Sequence, residues 1–146
     1  MPTAPKLIAA ILMALTALLV AYTYRLGYPE QTFKKEFYML AGGVGFTVGW
    51  YTLGQKPFFG GVDSMLSGIR ANIIMSIVGA ICFAFISVWN GMGEHAFNNP
   101  FQVPISWVMR SVSYFTSALT LKIWAIMLIA GAVSGRLTGM ANLRWR

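Results

Sequence analysis

Residues 71–93, ANIIMSIVGAICFAFISVWNGMG, decide the fold of this chain. They carry no charge and lie between Arg70 and Glu94. Because an α-helix rises about 1.5 Å per residue, about 20 of these residues would cross a hydrocarbon layer about 30 Å thick. The stretch therefore predicts a transmembrane helix over about 70–92.

The composition of the chain also favours a protein that lies in a lipid bilayer. Hydrophobic residues make up 57% and charged residues 10% of the 146 residues, whereas charged residues make up about 25% of a soluble domain. The net charge of +7 is scattered between apolar stretches, which favours lipid head groups over nucleic acid as the partner of the basic residues. We expect a single integral membrane domain over residues 1–146.

Three further stretches of low charge predict spans, at about 6–25, 37–55 and 119–139. The first could also be a cleaved signal peptide, but no A-x-A cleavage site follows it. Residues 25–36 and 56–70 contain charges, glycine and proline, and they are interpreted as connections. The predicted fold is an all-α membrane protein with four transmembrane helices.

A short amphipathic helix is predicted before the last span, over about 104–118. Its apolar residues recur at helical spacing, with Ser and Arg between them. This pattern is typical of a helix that lies on the membrane surface, with Trp107 and Tyr114 at the depth of the head groups.

Glycines at a spacing of four are the clearest packing signal in the sequence. Gly45 and Gly49 form one such pair, and Gly131, Gly135 and Gly139 form two overlapping pairs. Small residues at this spacing let two helix backbones approach closely. The spacing leaves open whether the two glycine faces meet each other or another protein, and whether a pigment, quinone or lipid lies against residues 42–49.

The sequence contains no pattern of residues typical of a catalytic or metal-binding site, so we expect no enzymatic activity, no cofactor and no metal. Its one cysteine, Cys82, falls within an apolar span and is interpreted as a small filler. Its one histidine, His95, follows Glu94 in a predicted loop. Arg110 and Lys122 are the candidates for contacts to an anion, although Lys122 could also extend its charge to the membrane surface.

The orientation is predicted from the basic residues. With four spans, six Lys and Arg fall on the side of the termini and five on the other side. Because basic residues favour the cytoplasmic side, we expect both termini in the cytoplasm.

Both ends of the chain resemble the TrgA family of small alphaproteobacterial membrane proteins. The resemblance is carried by the start MPTAPKLIAA, by PEQTF at 29–33 and GWYTLG at 49–54, by the Asn99-Pro100 turn, and by the end LIAGAVSGRLTGMANLRWR. FNNPFQVP, at 97–104, stands where the family has an acidic turn. The resemblance implies a cytoplasmic-membrane protein associated with tellurite resistance, and it supplies no catalytic residues.

Two functions follow from these observations. The first is a non-enzymatic accessory or assembly subunit that packs against other membrane-protein subunits of a respiratory or photosynthetic complex. The alternative is a protein of tellurite or oxyanion resistance or transport, with Arg110 and Lys122 along the path of the anion.

Overall fold

The computed structural model describes residues 4–27, 35–54, 61–92, 102–118 and 120–144, and apart from Gly54 and Thr120 these residues are helical. In chain order the elements are α1 (Ala4–Gly27), α2 (Lys35–Val48), a π-helical turn (Gly49–Leu53), α3 (Gly61–Met92), α4 (Gln102–Ala118) and α5 (Leu121–Arg144). The predicted loop around His95 and the Asn99-Pro100 turn lie outside the described residues.

Within the described residues, three helices are long and apolar enough to cross a membrane. They are Ala4–Gly27, Gly61–Trp89 and Leu121–Arg144. The chain thus has the make-up of an all-α membrane protein, as the sequence predicts. The prediction of four such helices, however, exceeds the three that the structure contains.

The stretch predicted as the second span, 37–55, changes helix type along its length. The α-helix ends at Val48 after 14 residues, and a five-residue π-helical turn follows. At the end of this turn the Gly54 N–H donates to the Gly49 carbonyl at 3.0 Å, five residues back. Glycines at 42, 43, 45, 49 and 54 lower the α-helix propensity of this stretch.

The helix α3 begins at Gly61, so the predictions of a loop to Arg70 and of a span starting near 70 are wrong. Asp63 lies in the first turn of α3, where a negative charge interacts favourably with the helix dipole. Arg70 is exposed, so its charge does not have to be buried for the helix to continue. The search for uncharged windows placed the start of this helix about nine residues too late.

The other helix ends differ less. The helix α5 starts at Leu121 and continues to Arg144, past the predicted end near 139. Its interior charge, Arg136, is exposed, whereas Ala141 beyond it is buried. The helices α1 and α4 each begin two residues before their predicted starts, and α1 ends two residues later than predicted.

In the described structure α1, α2, α3 and α5 form the interior, and α4 packs on the outside of α3. The helix α1 packs against α2 and α5, α3 packs against α5 and α2, and α4 packs against α3. Residues of α1, α2, the π turn and α3 form the core cluster: Ala9, Met13, Ala17, Val44, Val48, Leu53, Ala71 and Met75. Small and medium-sized side chains dominate this core, so the helices lie close together.

Candidate helix-packing site

Gly45 and Gly49 face α1. A Cβ atom built on Gly45 would lie 2.6 Å from the Met13 carbonyl oxygen and 2.7 Å from the Ala17 Cβ. On Gly49 it would lie 2.7 Å from the Ala9 carbonyl oxygen. Since real Cβ atoms essentially never approach so closely, only glycine fits at these two positions. The helix that lies close to this glycine pair is α1 of the same chain.

Gly131 and Gly135 face α3 rather than another protein. A Cβ on Gly131 would lie 2.7 Å from Asn72 Nδ2, and one on Gly135 would run into the Ser64 carbonyl oxygen. The third glycine of this series, Gly139, is buried as well. The two glycine faces therefore do not meet each other; each meets a different helix of the chain.

Gly68 on α3 completes this contact, and the sequence analysis missed it. A Cβ on Gly68 would collide with the Gly131 carbonyl oxygen and lie 2.8 Å from the Gly135 nitrogen. The signal was present, because Ser64, Gly68 and Asn72 repeat small or polar residues every four positions. It was overlooked because residues 61–70 were interpreted as a loop.

Asn72 is the second residue that the sequence analysis missed. Its side chain is 1% exposed, and its Nδ2 donates to the Met127 carbonyl of α5 at 2.6 Å. Its Oδ1 is buried and accepts no hydrogen bond from the described residues. An amide that bridges two helices holds them in register, and such interhelical bonds contribute about 0.6 to 2 kcal/mol in membrane proteins.

The buried hydroxyl groups of α1 and α5 bond within their own helices. Thr16 donates to the Leu12 carbonyl and Thr138 to the Ser134 carbonyl, each one turn back. Ser134 donates to the Gly131 carbonyl at 3.1 Å and also approaches the Met13 sulfur of α1 at 3.8 Å. These side chains act as small fillers whose polar atoms are satisfied locally.

Arg110 and Lys122 are not brought together around a common feature of the described structure. Arg110 lies on α4, where its Nη1 donates to Ser87 Oγ on α3. Lys122 lies in the first turn of α5 and is exposed. Among the acidic residues that could pair with Lys122, Glu36 is exposed at the start of α2, and Glu30 and Glu94 lie outside the described residues.

The predicted ligand position against residues 42–49 is largely filled by α1. The Leu18 side chain lies 3.7 Å from a Cβ built on Gly42, and α1 closes on Gly45 and Gly49. Of the glycines at 42–49, Gly43 alone has no atom within 4 Å of its Cβ position among the described residues. Elsewhere in the described ranges, no group of three or more His, Cys, Asp or Glu could hold a metal ion.

Comparison with known proteins adds no relative. No family model, curated protein or solved structure matches this chain. The likeness to the TrgA family stays a prediction.

Proposed function

We propose that this chain is a non-enzymatic, multi-pass protein of a bacterial cytoplasmic membrane, and that it acts by helix packing as an accessory or assembly subunit of a larger membrane complex. The glycines at 45, 49, 131 and 135 do not support this function, because α1 covers the first pair and α3 covers the second. The support comes instead from the outer face of α2.

The outer face of α2 carries a second pair of small residues, Gly43 and Thr47. Gly43 is exposed, with no atom within 4 Å of its Cβ position, and Thr47 is exposed one turn later. The Thr47 hydroxyl donates to the Gly43 and Val44 carbonyls, each at 3.0 Å. This pair has the spacing that lets a second helix approach.

An exposed glycine within a helix costs about 1 kcal/mol relative to alanine. At Gly45 the close contact with α1 offsets that cost, whereas the described residues offer no such contact at Gly43. A helix of a partner subunit on this face would provide one. The open Gly43 face is the observation that carries the proposal.

The topology belongs to the same proposal. The helix α2 and its π-helical turn form a continuous rod of 19 residues, Lys35–Leu53, and at about 1.5 Å per residue it is about 28 Å long. We propose that it crosses the bilayer beside α1, as a fourth span. An even number of spans leaves both termini on the same side, and the larger number of basic residues on that side favours the cytoplasm. A cysteine introduced at Ala4 or Asn142 of a Cys82→Ala protein should then react with a membrane-impermeant maleimide only after the cells are broken.

The accessory role is tested by purification in mild detergent, with mass spectrometry of the proteins that stay bound in stoichiometric amount. We expect companions with the wild-type chain and their loss with Gly43→Leu. Ala125→Leu is the matched control, because Ala125 is exposed on α5, away from this face. A wild-type chain without companions, or companions that Gly43→Leu leaves unchanged, would contradict the proposal.

The alternative function, handling of tellurite or a similar oxyanion, gains no support from the geometry. Arg110 and Lys122 lie on different helices, and Arg110 is engaged with Ser87. If these two cations did line an anion path, Arg110→Ala and Lys122→Ala would lower tellurite tolerance at constant protein level. Unchanged tolerance would remove this alternative.

A further inference from the structure

An apolar cavity of about 150 Å³, partly open to the surface, lies between the C-terminal half of α3 and the start of α4. Its lining consists of Phe85, Val88, Trp89, Val103, Pro104 and Trp107. The indole N–H of Trp107 donates to the Ile81 carbonyl at 3.2 Å, so this polar group is already satisfied. An apolar cavity of about this volume can hold a benzene molecule, so this one has room for a short length of hydrocarbon chain.

A ridge of apolar side chains leads from the cavity along α3. Ile74, Ile77, Ile81 and Phe85 are each between 41% and 53% exposed. They follow one another at intervals of three or four residues, so they lie on one side of the helix. An acyl chain that enters the cavity can continue along this ridge.

A cation and a hydroxyl group lie beside the same junction. Arg110 Nη1 donates to Ser87 Oγ at 2.5 Å, and Arg110 is exposed. Arg110 follows Trp107 by three residues, which makes the two side chains neighbours on the surface of α4. The planar guanidinium group binds phosphate oxygens in pairs, and the serine hydroxyl can donate to a third.

We propose that this α3–α4 junction binds a phospholipid with an anionic head group. Its phosphate lies on Arg110 and Ser87, and one acyl chain occupies the cavity and follows the ridge. Charge decides between a lipid and an apolar partner helix, because an apolar helix would cover the guanidinium group without a counter-charge. The site is separate from the Gly43 face on α2, and the two proposals can fail independently.

The experiment is native mass spectrometry of the full chain, released from bilayers that contain phosphatidylglycerol or phosphatidylcholine. We expect retained phosphatidylglycerol, and a loss of about tenfold or more with Arg110→Gln, the effect of removing a charge-assisted hydrogen bond. Lys122→Gln is the control, because it removes an exposed cation of α5 and should leave retention unchanged. Val103→Phe should fill the cavity and lower the retention of both lipids.

Three results would overturn the inference. They are full retention of phosphatidylglycerol by Arg110→Gln, an equal loss with Lys122→Gln, and displacement of the lipid by excess inorganic phosphate, which would show that the anion alone is recognised. If Arg110→Gln loses its helical circular dichroism, Ser87→Ala decides instead, with a smaller loss expected and no loss as the contrary result. Retained phosphatidylglycerol in Gly43→Leu would separate this site from the accessory function.

Discussion

Glycines allow close backbone contact at two helix pairs of this molecule, α1–α2 and α3–α5, and the two contacts differ in how close they are. Between α1 and α2, Gly45 and Gly49 meet the backbone and the small or unbranched side chains of Ala17 and Met13. Between α3 and α5, glycine meets glycine, so that Gly68 lies directly against the Gly131 carbonyl. The second contact is the closer of the two.

The closer contact joins the two helices that are farther apart in the sequence. The helices α1 and α2 are consecutive, whereas Asn72 and Met127, which join α3 to α5, are 55 residues apart with α4 between them. Ordering a distant pair costs more chain entropy than ordering neighbours. The closer backbone contact and the Asn72 hydrogen bond are what this distant pair has in addition.

Gly68→Ala should have the largest effect, because the new methyl group would collide with the Gly131 carbonyl and force α3 away from α5. We expect a loss of about 3 kcal/mol or more in the free energy of unfolding, at the upper end of the range for overpacking. Denaturant titration of the chain in mixed micelles measures it. Gly79→Ala, on the same helix with open space at its Cβ position, should cost nothing.

Gly49→Ala should have an intermediate effect of about 1 to 3 kcal/mol. The Ala9 carbonyl oxygen and the Met13 Cβ each lie 2.7 Å from the new Cβ, and neither can move without its backbone. The same titration compares this variant with Gly68→Ala. An equal or larger loss for Gly49→Ala would show that the α3–α5 contact is not the closer one.

Asn72→Ala should cost less again, about 0.6 to 2 kcal/mol, the range for interhelical hydrogen bonds in membranes. It removes the bond to the Met127 carbonyl and, with it, the buried Oδ1 that lacks a described donor. Ser76→Ala is the control, since its hydroxyl bonds to the Ile73 carbonyl of its own helix. An equal stability change in the two variants would deny Asn72 a bridging role.

Gly43→Ala should have the smallest effect and the opposite sign. No atom lies within 4 Å of the new methyl group, so the isolated chain should gain up to about 1 kcal/mol from better helix propensity. A destabilised variant would mean that the outer face of α2 is already in contact within the chain. Together with Gly49→Ala, this measurement compares the free energy of unfolding for a methyl group added on the outer face and on the α1-facing side of the same helical stretch.

The sequence was sufficient for the helical class, because uncharged length is a local signal. GxxxG spacing also selected glycines that lie in close contact with other helices of the described structure. The sequence was insufficient for helix ends. The span predicted from about 70 begins at Gly61, and the span predicted to end near 139 continues to Arg144. Arg70 and Arg136 lie within these helices and are exposed, since long basic side chains can reach the membrane surface from within a helix.

The partner of each glycine face also lay beyond the sequence. Spacing shows which residues share a face, but it does not show which helix covers that face. Gly45 and Gly131 could therefore have met each other, yet the structure pairs Gly45 with α1 and Gly131 with α3. Gly68 became visible only when the start of α3 was known, and the Ser87 contact of Arg110 depends on how α4 packs on α3.

The contact between Gly68 and Gly131 sets an order of events during translation. Ribosomes add about 5 to 20 residues per second, so Gly131 is made roughly 3 to 13 s after Gly68. During that interval α3 has been synthesised without its partner, and the Asn72 amide has no Met127 carbonyl to bond. The hydrogen bond that joins α3 to α5 can therefore form only after most of the chain has been made.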